Sequence, residues 1–288
     1  MQYIIYYIFK RFVILLTFAF FFVACSPNDP SATSSQLHIN LTDTPIIAVA
    51  SGEEFPDIEI RQILIDIRSI EVFSVGEDLN EEWTMLDFPG GEFNVLNLTN
   101  GRKRQIASQW FLADRRITKM RLVPGGNSRI VTNIAHERIY LTVPDEIIIE
   151  DVNISRIDLN TIRSIVISLN SVLLYQAGNF YLAPAARAFD ETFGISLRGT
   201  ITPTIESQSR SMVKIFGDNY MPLVSLAEPN GMFMFLGLPP DIDEWEVHIT
   251  PPPGSGLLDT TFVLPINSDR RVNEFSIALR RHIPPDPD

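Results

Sequence analysis

Paired carboxylates are the groups in this chain best suited to acid–base chemistry. They occur as Glu53-Glu54, Glu81-Glu82, Glu150-Asp151 and the trio Asp241, Asp243 and Glu244. Brought within about 5–9 Å of each other, two such acids could hydrolyse a glycosidic bond, one protonating the leaving oxygen while the other attacks or activates water. All of them fall in stretches that read as loops, where a solvated acid is the plain alternative. The trio could also gather alternating loop oxygens around calcium, but the glycine of the sharp turn and the fuller oxygen set of a calcium loop are missing. The four histidines, His38, His136, His248 and His282, are dispersed and have no cysteine partners, so they do not spell a zinc site. No G-x-S-x-G, G-x-x-x-x-G-K-[ST] or H-E-x-x-H motif occurs, and Gly254-Ser255-Gly256 is a bare turn. The reading is therefore non-enzymatic, with no cofactor expected.

Binding needs surfaces rather than reactive groups. Trp83, Trp110, Tyr175, Tyr181 and Tyr220 could offer ring faces to the apolar faces of a sugar, or could simply fill a core. Trp245 alternates with Val247 and Ile249 and reads as core. The basic cluster Arg102-Lys103-Arg104, with Arg115-Arg116, reads as a solvated face. A glycan or a protein is the ligand class these features allow. With 35 acidic and 23 basic residues the chain carries a formal charge of −12, which repels nucleic acid.

The elements that must position these residues are strands. Leu37, Ile39 and Leu41 alternate with His38 and Asn40. Along Ile58–Val75 the apolar phase runs Ile63, Ile65, Ile67 and then jumps to Ile70 and Val72, which predicts a bulge near Arg68-Ser69. Gly125-Gly126-Asn127-Ser128 between Thr118–Leu122 and Ile130-Val131 predicts a hairpin. Short alternating segments continue to Phe180-Tyr181-Leu182, the last strand expected of a first β-sandwich or barrel. One short helix is expected over Arg102–Phe111, where Ile106/Trp110 and Ala107/Phe111 stack at i, i+4. Strand patterning lapses over 188–194, read as a linker, and residues 195–281 show the strand count of a smaller β-sandwich. Residues 282–288 read as a disordered tail.

At the N-terminus, Lys10 and Arg11 precede the apolar run Phe12–Ala24, which is too short for a bilayer-spanning helix of roughly 20 residues. It reads as a signal peptide, residues 1–24. The lone cysteine, Cys25, follows small Ala24, and 25–36 is a polar, proline-containing tether. Phe22-Val23-Ala24-Cys25 resembles a bacterial lipobox, with Phe22 where leucine is usual. The resemblance implies that Cys25 becomes the first mature residue and carries acyl chains, which anchor a protein without a spanning helix. A plain secretory signal with an accidental cysteine and an uncleaved anchor helix are the alternatives. Removing residues 1–24 takes away Lys10 and Arg11, so 23 − 2 = 21 basic residues face 35 acidic ones, a charge of −14. The implied address is the outer membrane, on its surface or periplasmic face.

Several segments of the first half, Leu37 to Arg187, resemble the DUF4382 family of bacterial and archaeal lipoproteins: Thr42-Asp43-Thr44-Pro45, Ile63–Val72, Trp83–Leu86, Leu96-Asn97-Leu98 with Asn100-Gly101, Met120-Arg121-Leu122 running into Asn127-Ser128, and Ile165–Ala185. Where that family commonly shows Asp-Phe-Asp, this chain has Ser168-Leu169-Asn170. The second half resembles the carboxypeptidase-regulatory-like, transthyretin-like sandwich through Gly199-Thr200-Ile201, Val213-Lys214-Ile215, Asn230–Phe235 and Leu236-Gly237-Leu238-Pro239 with Trp245-Glu246-Val247. Such a module implies a spacer or stabiliser. The sequence thus points to an anchored binding, adhesion or scaffold module, with a glycan-binding accessory protein or glycan-active enzyme, or a structural subunit of a surface assembly, as alternatives.

Overall fold

Alternation at period two is what the chain turns into structure: Ser35, Leu37, Ile39 and Leu41 are buried while Gln36, His38 and Asn40 stand on the opposite face of one strand. The computed structural model describes residues 34–43, 47–51, 54, 56, 58–76, 79–112, 115–133, 138–150, 152, 154, 161–204 and 210–281. Its strands are, from the N-terminus, β1 (Ser34–Asp43), β2 (Ile47–Ala50), β3 (Ile60–Val75), β4 (Glu81–Met85), β5 (Gly91–Asn94), β6 (Arg104–Leu112) and β7 (Arg116–Pro124). Next come β8 (Arg129–Thr132), β9 (Arg138–Thr142), β10 (Ile147–Ile149), β11 (Ile162–Leu169), β12 (Val172–Gln176), β13 (Asn179–Ala183) and β14 (Ala186–Asp190). The remainder are β15 (Ile195–Thr202), β16 (Met212–Phe216), β17 (Leu223–Leu226), β18 (Met232–Leu238), β19 (Glu244–Thr250), β20 (Thr260–Pro265) and β21 (Val272–Ala278).

A four-stranded sheet, β14-β11-β1-β6, and a ten-stranded sheet, β10-β7-β3-β8-β9-β13-β12-β2 with β4 and β5 also paired to β3, share one hydrophobic core. Two smaller sheets, β18-β15-β21 and β17-β16-β19-β20, enclose a second core around Trp245 and Phe233. The all-β expectation holds, and Trp245 is fully buried, as its alternation requires. Phe275 packs edge-on against both Phe233 and Phe262 within the second core.

The 16-residue strand β3 is the spine of the larger sheet. Its register against β7 shifts between Ile67 and Ser69, where the apolar phase jump places a bulge. Without that extra residue Ile70 and Val72 would turn outward. Each fully buried aliphatic side chain of this kind is worth about 1.5–3 kcal/mol, enough to hold the bulge in place.

Five expectations need correction. Arg102–Phe111 is not a helix: Arg104–Leu112 forms β6, antiparallel to β1. The i, i+4 pairs that suggested a helix also fit alternation, with Ala107 and Phe111 buried and Trp110 exposed. Only Val95–Leu98 forms a helical turn in the first half among the described residues, a 3-10 turn whose start is capped by the Asn94 side chain. The predicted hairpin is also absent. β7 and β8 run in succession along the same edge of β3, and Gly125–Ser128 loops out between them around Asp66. The Gly125 and Asn127 amides donate to Asp66, and the Ser128 hydroxyl accepts from the Asp66 amide.

The segment read as the linker begins inside a strand, because β14 extends to Asp190 and pairs with β11, leaving a turn over 191–194. Phe180-Tyr181-Leu182 is accordingly not the last strand of the first half. At the other end β1 begins at Ser34, so the last three residues of the expected tether, Ser34, Ser35 and Gln36, are in the sheet. Residues 1–33, with Cys25, and residues 282–288 lie outside the described residues.

Candidate functional site at the seam of the two sandwiches

The turn after the 3-10 segment carries Asn100 at φ 57 and Gly101 at φ 77, left-handed conformations that asparagine and glycine tolerate. This geometry points the Asn100 amide at the second sandwich. Its Nδ2 donates to the Leu226 carbonyl at 2.8 Å and to Glu228 Oε1 at 3.1 Å, while its Oδ1 accepts from the Ser225 hydroxyl at 2.6 Å. Arg102 adds an ion pair to Glu228 at 2.8 Å. From the opposite strand, the Thr42 hydroxyl fixes the turn by sharing its one proton between the Leu98 and Arg102 carbonyls, at 3.0 and 2.8 Å.

Arg187, on β14, completes the seam. Its guanidinium donates to the Gly237 carbonyl at 2.6 Å, to the Leu236 carbonyl and to the Tyr220 hydroxyl at 3.3 Å, and lies 4.9 Å from the centroid of the Phe189 ring. Burial pulls this guanidinium below the usual arginine range, and Tyr220 opposes the shift. A buried cation satisfied by carbonyls fixes position, because each acceptor comes from a defined backbone atom. Beside it, Ser168 and Asn170 bond side chain to side chain at 3.1 Å, and Asn170 lies 3.2 Å from the Met221 sulfur. The tripeptide that is acidic in the resembled family therefore faces the seam here in neutral form.

Two concavities adjoin these residues. A cleft of about 320 Å³ is lined by Asn100, Arg102, Arg198, Glu228, Asn230 and Met232. An open, acidic basin of about 780 Å³ on the second sandwich is lined by Asp218, Tyr220, Asp241, Asp243 and Glu244. The basin gathers the calcium trio along one wall, but among the described residues no group of three or more His, Cys, Asp or Glu is placed to hold a metal ion. The Asp243 carbonyl is already committed to the Ile266 amide at 2.7 Å.

The aromatic candidates are not brought together. Trp83 faces outward from the larger sheet, packs on Phe73 at 5.2 Å and lies under the Arg121 guanidinium at 4.6 Å. Arg121 in turn pairs with Glu71 and Glu146, and the Glu71 hydrogen bond raises its pKa. Trp110 is exposed on the outer face of the β14-β11-β1-β6 sheet. Tyr175 packs on Phe180 at 4.9 Å against the first core, and Tyr181 points to the opposite face of its hairpin. Tyr220 is at the seam.

Three other candidate groups are held in structural pairs, while Glu54 and Glu81 are exposed. Glu82 pairs with Arg115 at 3.2 Å and Glu150 with Lys119 at 2.8 Å. His248 bonds Glu246 at 2.6 Å and packs on Phe216 at 4.8 Å. Glu53, Asp151, His136 and His282 lie outside the described residues. The basic cluster is exposed at Arg102, Lys103, Arg104 and Arg116, with Arg102 paired to Glu228, Lys103 to Glu191 and Arg104 over Phe93, whereas Arg115 is half-buried beside Glu82. Asn100, Arg187 and Glu228 went unnoticed as a set, and Asn100-Gly101 and Ser168–Asn170 were the signals that marked the seam.

The family model described as "Domain of unknown function (DUF4382)" matches residues 34–184, more than half of the 288-residue chain. The chain belongs to the DUF4382 family. The matched span of this DUF4382 chain runs from the first residue of β1 to just before β14, and so includes Asn100 and Ser168–Asn170 but stops short of Arg187. No curated protein matches. Among solved structures, the shaft pilin SpaA from Lactobacillus rhamnosus GG is similar at 10% identity, covering 88% of this chain and 100% of its own, with a TM-score of 0.23. BcpA, the major pilin subunit of Bacillus cereus, is similar at 10% identity, covering 86% of this chain and 71% of its own, with a TM-score of 0.25. The Bacillus anthracis TIE protein matches at 10% identity over 86% of this chain and 34% of its own, with a TM-score of 0.24, so this chain spans about a third of its length. At these scores the likenesses bear on neither ligand nor assembly.

Proposed function

We propose that this DUF4382 protein is a non-enzymatic, lipid-anchored extracytoplasmic module that binds or scaffolds, with its second sandwich bracing the first. The observation that carries the reading is the seam: Arg187, Asn100 and Arg102 are all committed to joining two β-sandwich cores into one body. Two of the acids that could have done acid–base work are held in ion pairs, Glu82 with Arg115 and Glu150 with Lys119. We divide the chain at the turn 191–194, with a carboxypeptidase-regulatory-like sandwich beyond it. Cys25 carries the acyl chains, and the address is the outer membrane. Metabolic labelling with palmitate tests the anchor: label enters the wild type and is absent from Cys25→Ala, and equal labelling of both removes the claim. Protease shaving of intact cells distinguishes the surface from the periplasmic face.

A second reading is favoured by one observation. The seam cleft combines amide, guanidinium and carboxylate groups around Met232 at a volume in the range of small-ligand sites, which suits a short glycan. A glycan array tests it: binding lost in Arg198→Ala supports a sugar site, and an array without a binder removes that reading and leaves scaffolding.

A further inference from the structure

The outer face of the sheet β14-β11-β1-β6 is poor in acids at the end where β1 begins. Register places Trp110 of β6 and Ile162 of β11 on either side of Gln36, in one row across β1. Trp110 is 50% and Ile162 62% exposed. Phe193, in the turn after β14, is also exposed, but its ring meets Arg163, which pairs in register with core-facing Leu37 and so belongs to the opposite side of the sheet. The next row of the face is Ser108, His38 and Ser164, and Asn40 follows. None of these carries an acid, in a chain with 35 of them. Glu191, which reaches the face at Ser164, is paired with Lys103, and Arg163 is paired with Asp190.

The same end of the sheet is where the chain enters. β1 is the middle strand of the row, and it begins at Ser34, two residues before Gln36. From Cys25 to Ser34 is 34 − 25 = 9 residues, which can reach at most about 30 Å when fully extended. An acylated Cys25 therefore keeps this patch within a short span of the lipid surface.

We infer that the patch of Trp110 and Ile162 docks onto the phospholipid interface, so that the anchored protein lies against the membrane on the outer face of its β14-β11-β1-β6 sheet. The inference rests on the proposed anchor at Cys25. Tryptophan settles at the headgroup–acyl boundary, and the described residues of this face, which include no unpaired acid, meet zwitterionic headgroups without repulsion. One tether alone leaves the body free to tumble. Two contacts fix its orientation, and with it the direction in which the seam cleft points.

The test uses the chain from Cys25 to Asp288, coupled through the Cys25 thiol to a maleimide phospholipid in phosphatidylcholine vesicles whose acyl chains carry bromine. Bromine quenches tryptophan emission on contact, so the expected result is quenching of the wild type, its loss in Trp110→Phe, and its loss in Ile162→Ser with an unchanged melting temperature. Absence of quenching in the coupled wild type overturns the proposal, as does quenching that persists in Trp110→Phe. A dimer in solution that Ile162→Ser dissociates also overturns it, because a second copy then covers the patch. Chemical coupling makes this outcome independent of lipidation in the cell, so failure here and failure of palmitate labelling are separate results.

Discussion

Arg187 is a buried cation whose acceptors are two carbonyls and a phenol rather than a carboxylate. Truncation leaves those acceptors buried and unpaired, which costs more than the net worth of the bonds themselves. We predict that Arg187→Met destabilises the protein by about 3 kcal/mol, since hydrogen bonds from a charged donor contribute roughly 1.5–3 kcal/mol each and part is recovered by apolar packing. Urea denaturation measures it. Arg187→Lys does not rescue, because an ammonium cannot address the Leu236 and Gly237 carbonyls with a planar fork. A second residue gives a pH signature. Burial pushes the Glu191 carboxyl up, but hydrogen bonds from Lys103 and Ser164 outweigh it and hold the group below the usual carboxylate range. A depressed folded pKa stabilises above the unfolded value, about 4.3 for glutamate, and that contribution is lost as pH falls through the folded pKa. Glu191→Gln therefore flattens the acid side of the stability profile below about pH 4.3 and leaves the neutral side unaltered in shape, read from melting temperature against pH.

At the scale of elements, the loop between β7 and β8 offers a paired test. A Cβ on Gly125 would overlap the Asp66 carboxylate, whereas a Cβ on Gly126 would meet nothing within 4 Å. Gly125→Ala should cost about 1–3 kcal/mol by displacing Asp66 from the Asn127 amide, and Gly126→Ala should be close to neutral. Equal melting temperatures for the two variants would show that the loop does not depend on this approach. The same loop shows where sequence reading stops. The phase jump from Ile67 to Ile70 located the β3 bulge, because a one-residue slip would expose a whole buried set. Gly125-Gly126 suggested positive φ and a reversal, but Gly125 serves close approach to a side chain some 60 residues earlier in the chain, and no local pattern encodes that partner. The error at Arg102–Phe111 is of the same kind. Spacing at i, i+4 serves a helix face and, through its even step, a strand face as well, and only pairing with β1 decides between them. The seam was legible only as fragments: Asn100-Gly101 stood out as a motif, while Arg187 sat in a stretch with no strand signal of its own.

For the whole molecule, the question is whether two cores behave as one. Each has its own buried cluster, one around β1, β3, β7 and β11 and one around Trp245 and Phe233, so each could unfold separately if the seam were weak. At the seam Gly237 sits at φ 63, where an added Cβ would overlap the Phe189 ring. No L side chain fits that position without both backbone strain and a displaced ring, and the displaced ring is the one that Arg187 lies against. Gly237→Ala should therefore pry the sandwiches apart at their joint while leaving the larger core untouched. Calorimetry of the wild type is expected to show one transition, because breaking the seam and exposing Arg187 must accompany the loss of either core. In Gly237→Ala the trace should divide, with the second sandwich melting first, since it has the smaller core and depends on the first for bracing. Two transitions already in the wild type, or a single lowered one in the variant, would mean that the cores are coupled by something other than this joint.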